Sequence, residues 1–146
     1  MKKASLLLFL LFCDYFFSQN PGFNWAKSVG SGANDIGRAV CTDQQGNVYV
    51  TGTFSGTVDF DPGPGIFTLN AGGLTNAFLL KLNAQGNFVW AGSIQSVGST
   101  VTSAWDIKTD LSGNVYLVGI FGGTVDFDFG PGAFYLSSLT SNDNFV

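Results

Sequence analysis

Residues 42–69 read TDQQGNVYVTGTFSGTVDFDPGPGIFTL, and residues 109–136 read TDLSGNVYLVGIFGGTVDFDFGPGAFYL. The spacing is a constant 67 residues, and Asp43, Gly46, Asn47, Tyr49, Gly52, Phe54, Gly56, Asp59, Phe60 and Asp61 each recur across it. Working outward, Asn24-Trp25-Ala26 matches Val89-Trp90-Ala91 at a spacing of 65, so the second copy carries a two-residue insertion before Trp105. Downstream, Asn76-Ala77-Phe78 matches Asp143-Asn144-Phe145. Self-similarity on this scale marks a repeat architecture, in which a unit that cannot bury its own apolar face stacks on the next.

Each copy parses into strands. Across Asn47–Phe54, Val48, Val50, Gly52 and Phe54 alternate with Tyr49, Thr51 and Thr53. The second copy puts Val115, Leu117, Gly119 and Phe121 on the same face. A period of two predicts a strand. Arg38–Asp43 predicts a short strand before it, joined through Asp43-Gln44-Gln45-Gly46-Asn47, a turn whose Gly supplies positive φ. Ala77–Asn83 and Phe88–Ile94 alternate in the same way, joined by the matching turn Asn83-Ala84-Gln85-Gly86-Asn87. Each unit is therefore expected to hold four antiparallel strands in two hairpins, with a longer insert from Thr57 to Asn76 between them. Phe23–Val29 is expected to be one further strand, carrying Trp25. The expectation is an all-β chain built from tandem four-stranded antiparallel blades of a β-propeller. Solenoid coils are shorter, and a two-sheet sandwich gives no reason for near-identical halves.

Composition narrows the chemistry. Lys+Arg count 6 against 10 acids, a net charge of −4, and every acid is Asp: there is no Glu and no His. Without His there is no Ser-His or Cys-His nucleophile pair and no His-ligated zinc. With 20 Gly and 15 Phe and no Glu, long surface helices are not expected. The apolar content is too high for disorder. The acidic balance argues against nucleic acid or an anionic membrane as partner.

The chain opens with Met1-Lys2-Lys3 and an apolar run from Ala4 to Phe12, the basic and hydrophobic regions of a signal peptide. The run is too short to span a bilayer, and Asp14 interrupts it. Cleavage is expected after Ser18, so that residues 1–18 are a leader. A lipoprotein cut at Cys13 is disfavoured by Phe12, which stands where a small residue is needed. Residues 19–87, with the leading Trp strand, are expected to form the first repeat and residues 88–146 the second. Processing leaves Cys41 as one cysteine, so the mature chain has no internal disulfide.

The combined pattern D-x-x-G-N-V-Y-x-x-G-x-F-x-G-T-V-D-F-D-x-G-x-G, followed by x-F-L-L-K-L-N-x-x-G-N-F-V-W, resembles the SBBP-type β-propeller repeat. The resemblance covers essentially everything after the leader. It implies a secreted or cell-surface bacterial protein, often one whose C-terminal sorting domain directs export by the type IX system. The family supplies no catalytic residues to carry over. Propellers close with four to eight blades, so two blades leave the ring incomplete. The chain is therefore expected to be an N-terminal fragment of a longer propeller or a truncated gene product, partnered by further blades. Other expected partners are extracellular protein or carbohydrate. Phe54 and Phe121 are expected on exposed, adhesive outer faces.

Asp59-Phe60-Asp61-Pro62-Gly63 and Asp126-Phe127-Asp128-Phe129-Gly130 resemble the front half of a calcium loop. No closing Glu follows, and Asp-capped turns explain the same residues. A glycosidase pair at Asp59 and Asp61 is disfavoured, because both copies carry it and a catalytic pair is normally single-copy. Trp25, Trp90, Tyr49 and Tyr116 are expected to fill the core between blades. Trp105 replaces Arg38 and is a single-copy aromatic, a binding candidate. Lys108 replaces Cys41, which predicts a partly exposed site and an unactivated free thiol. The expected function is that of a non-enzymatic scaffold for adhesion or interaction, with no cofactor. The alternative is the propeller portion of a secreted hydrolase.

Overall fold

The computed structural model describes residues 22–146 except 73 and 99. The expected leader lies outside the described residues. Eleven strands follow one another: β1 (Ile36–Thr42), β2 (Val48–Phe54), β3 (Thr57–Asp59), β4 (Thr68–Asn70), β5 (Asn76–Leu82), β6 (Phe88–Val97), β7 (Thr102–Thr109), β8 (Val115–Phe121), β9 (Thr124–Asp126), β10 (Tyr135–Ser137) and β11 (Asp143–Phe145). Every strand pairing is antiparallel, and the described residues contain no helix. The all-β expectation holds.

The first unit is a meander in the order β1-β2-β5-β6. Its hairpins close where the sequence places Gly: Gly46 and Gly86 have φ of 77° and 78°, a backbone that L side chains rarely adopt. Gly113 repeats the device between β7 and β8 at 84°. The insert between β2 and β5 forms its own hairpin, β3 with β4. The second unit runs β7-β8-β11, and its insert hairpin is β9 with β10. β6 is longer than the alternation predicts. Its Phe88–Ile94 portion pairs with Ala77–Leu82 of β5, while Gln95–Val97 reach past that ladder and pair with β9. One strand thus stitches the two units together.

Both first strands are bulged at the same place. The register shifts between Gly37 and Ala39 in β1 and between Ala104 and Asp106 in β7. Arg38 and Trp105 are the extra residues. A bulged residue is released from the ladder and is free to differ between copies.

The sheet faces explain the packing. On one face of the first unit, Phe54, Phe78, Leu80 and Leu82 pack with Val58 and Phe60 from the insert, with Trp25 and Val29 alongside. The rings of Phe54, Phe60 and Phe78 lie 5.0–6.4 Å apart, centroid to centroid. Such edge-on or tilted pairs each contribute about 0.5–1.5 kcal/mol beyond area burial. The opposite face meets the second unit. There Tyr49 and Leu79 pack on Ile107, and Ala77 and Ile94 pack on Ala104, Phe121, Val125 and Phe145.

Three expectations change. Phe23–Val29 is not a strand: the segment joins no ladder. A strand needs a partner edge, and no described strand offers one there; Trp25 instead donates its indole N–H to the Ala84 carbonyl at 3.1 Å. Phe54 and Phe121 are not exposed, because Phe54 lies under the insert of its own unit and Phe121 in the junction. Tyr116 is not core; it is 51% exposed, whereas Tyr49 is 2% exposed.

Candidate functional site

The acidic inserts fold as two copies of one device. The Asp59 Oδ1 accepts the backbone N–H groups of Asp61 at 3.0 Å and Phe67 at 2.9 Å. Asp61 Oδ1 accepts from Gly63 N–H at 2.8 Å. In the second copy Asp126 Oδ1 accepts from Asp128 at 3.0 Å and Phe134 at 2.8 Å, and Asp128 Oδ1 accepts from Gly130 at 2.6 Å. Asp59 thereby ties the start of the insert to its return, across eight residues. These are carboxylates acting as turn caps. Among the described residues no group of three or more His, Cys, Asp or Glu side chains is placed to hold a metal.

A second carboxylate site was not singled out from the sequence. Asp43 Oδ1 accepts from the backbone of Gln45 at 3.0 Å and Asn47 at 2.9 Å. Its Oδ2 accepts from the Asn47 side chain at 2.8 Å and from the Tyr49 hydroxyl at 3.2 Å. Lys81 closes the group, its Nζ 3.8 Å from Asp43 Oδ2 and 4.8 Å from the centre of the Tyr49 ring. Burial pushes the Asp43 carboxyl up, but the bonds from Asn47, Tyr49 and Gln45 outweigh it and hold the group below the usual carboxylate range. Asp110 repeats the arrangement with Asn114, Tyr116 and Ser112, and the Asn114 side chain leads the same downward shift. The signal was present as D-x-x-G-N-x-Y in both copies. The matching turn at Asn83 keeps the backbone bonds, to Gln85 at 3.0 Å and Asn87 at 2.9 Å, without a charge. The charge is therefore an addition to a turn that neutral Asn already closes.

The aromatic candidates separate. Trp90 lies in the junction, edge-on to Tyr49 with ring centres 6.3 Å apart. Trp25 lies against Gly86 instead, outside the junction. Trp105 is 48% exposed, on a strand bulge. Lys108 is exposed and Cys41 half-buried. Burial pushes the Cys41 thiol up, which keeps it protonated and a poor nucleophile at neutral pH.

A cavity of about 220 Å³ opens on the free face of the first unit. Val50, Phe54, Phe78 and Leu80 form its floor, Trp25 and Val29 one wall, with Lys27 and Asp35 the charged groups on its lining. Asp35 is already engaged by the N–H groups of Ser31 and Ser55.

Comparison with known proteins agrees with this architecture. Residues 24–53 match the family model described as SBBP, beta-propeller repeat, which bears out the resemblance read from the motifs. The chain is 28% identical over 126 residues to a WD repeat-containing protein of Acanthamoeba polyphaga mimivirus, a match covering 83% of the chain and 9% of that protein. The chain therefore spans less than a tenth of the length of that relative. No solved structure matches it. The coarse reading that these comparisons support is a β-propeller repeat scaffold.

Proposed function

We propose that the chain is a non-enzymatic, exported β-propeller segment of two tandem blades that serves as an adhesion or interaction scaffold in the secreted space or on a cell surface. β1-β2-β5-β6 is the first blade, and β7-β8-β11 the corresponding part of the second. The observation that carries this reading is the junction: the two units stack face to face, as blades do, with Tyr49 of β2 and Leu79 of β5 packed on Ile107 of β7. The acidic pairs support a structural role. In both copies Asp59 and Asp126 accept the same two backbone N–H bonds through Oδ1, a turn device that repeats with the fold. The partners are further blades and, through the exposed surface around Trp105, extracellular protein or carbohydrate.

The test uses the full chain in an exporting host. N-terminal sequencing of the exported product is expected to begin at Gln19. The product is then assayed on glycoside and ester substrates beside an Asp59→Ala/Asp126→Ala variant. No turnover is expected from either. Turnover that the double substitution abolishes would overturn the scaffold reading in favour of a secreted hydrolase.

A further inference from the structure

Each end of the two-unit stack displays one half of the junction found inside it. Within the junction Ile107 is 1% exposed; its counterpart in the first unit, Val40, is 64% exposed. On the other side Tyr49 is covered and Tyr116 bare. Thr109 Oγ1 donates across the junction to the Thr42 carbonyl at 3.0 Å. Thr42 and Thr109 are themselves equivalent positions, so one end holds the donor and the other end the acceptor of the same bond.

The open strand edge matches as well. β11 pairs with β8 on one side, and no described strand pairs with the other. Its counterpart β5 takes β6 there, with Ala77 opposite Ile94, Phe78 opposite Ser93 and Leu79 opposite Gly92. The sequence that corresponds to β6 is Asn24-Trp25-Ala26-Lys27-Ser28-Val29, the segment that joins no ladder. Val29 already packs toward Phe54 in the first unit, as Ile94 packs toward Phe121 in the second. The segment is thus set against the free face of the first unit as a fourth strand that lacks its third.

We infer that two copies of this chain dock head to tail, each placing its 27–29 segment along β11 of the other and its Val40 face on the other's Tyr116 face. The inference rests on the blade reading above. The register follows from β5 and β6: Asn144 opposite Val29, Phe145 opposite Ser28, Val146 opposite Lys27. Trp25 then meets Tyr116 as Trp90 meets Tyr49. A contact between unlike ends must close into a ring or run on as a filament. A second copy is favoured over an unrelated partner because it brings the donor, the acceptor, the strand and the tryptophan together in one register.

The test reads mass. The exported full chain is followed by sedimentation velocity from about 100 to about 0.1 µM, and a dimer dissociating on dilution is expected. Val40→Asp and Tyr116→Asp alter exposed side chains, so each is expected to fold, with a circular dichroism spectrum unlike that of a denatured chain, and to stay monomeric. Mixed together they keep one intact head and one intact tail, so one heterodimer is expected. Lys27→Cys/Val146→Cys in a Cys41→Ser background is expected to form a disulfide-linked dimer under mild oxidation. A wild-type chain that is monomeric at about 100 µM, or a dimer that neither substitution disturbs, would overturn the proposal. The blade reading is tested separately, by adding residues 36–97 of a second molecule as a fused third unit. A gain in melting temperature from the fusion with a monomeric wild type leaves the blade reading standing and sinks self-docking. No gain with a monomeric wild type sinks both.

Discussion

Tyr49 and Tyr116 occupy the same position in two copies of one repeat, on the same strand, with the same hydroxyl bond to the Asp at the preceding turn. One is sealed against a neighbouring unit and the other faces solvent. The sequence around each is almost the same, so local pattern does not set burial; the neighbour does. The same contrast separates Ile107 from Val40. In a stacked repeat, the terminal units carry faces whose partner is not part of the unit.

The largest expected difference tests that contrast directly. Tyr49→Ala is expected to cost about 3 kcal/mol or more, the usual loss for a buried aromatic truncated to Ala. Tyr116→Ala is expected to cost under about 1 kcal/mol in the dilute chain, as surface substitutions do. Denaturant titration of both at sub-micromolar concentration measures the gap. Equal losses would mean that Tyr116 is covered in solution even without a second copy.

Gly52 and Gly119 make the opposite comparison. A Cβ on Gly52 would collide with the Ile36 carbonyl, and one on Gly119 with the Ser103 carbonyl, across the β-bulge in each copy. Both obstacles are backbone atoms of the same sheet, and the unit next door is irrelevant. Gly52→Ala and Gly119→Ala are both expected to destabilise, by about 1–3 kcal/mol, the usual range for overpacking. A loss confined to one copy would show that the two bulges do not do the same job.

The Asp43 and Asp110 turns give a smaller effect with a defined direction. Both carboxyls titrate below their ordinary range when folded. The unfolded chain therefore binds more protons in that window, and stability falls as pH falls. Their contribution is complete above about 3.9, the ordinary Asp value, and is lost as pH drops through the lowered folded values. Melting temperature is expected to be flat from neutral pH to mild acid and to fall below it. Asp43→Asn should shallow that fall, because Asn keeps the backbone bonds, as Asn83 does, and removes the titrating group. An unchanged acid profile would assign the fall to other carboxylates.

Much of this was legible. The four main strands of the first unit lie where alternation placed them, and the turns where D-x-x-G-N and N-x-x-G-N placed them. The spacing of 67 residues foretold which positions are equivalent. What alternation could not carry was pairing beyond a unit. The tail of β6, Gln95–Val97, is a strand because β9 lies beside it. Phe23–Val29 reads like β6 and is not a strand because no described strand lies beside it. Phe54 and Phe121 both read as outward, since the return of the insert over the sheet is a tertiary event. The Asp43–Tyr49–Lys81 group was hidden for a related reason: Lys81 comes from β5, one strand over.

The smallest expected effect concerns the acidic inserts, where the two copies should behave alike. Each cap carboxylate already accepts the N–H groups that hold its turn, so no ion is needed to offset charge there. Asp59→Ala and Asp126→Ala remove two acceptor bonds each and are expected to cost about 1 kcal/mol apiece, the loss typical of a capping side chain. Asp59→Asn and Asp126→Asn keep an amide oxygen in place and should cost less. Melting temperature is expected to be the same in chelator, magnesium and calcium. A weak calcium loop of the extracellular kind binds at about 10⁻⁴–10⁻³ M, and a tenfold excess of ion would then add about 1 kcal/mol per site. A rise in calcium that magnesium does not reproduce, and that both Asn variants abolish, would replace the cap with a metal site in both copies. A rise lost in one variant alone would break the equivalence of the two inserts.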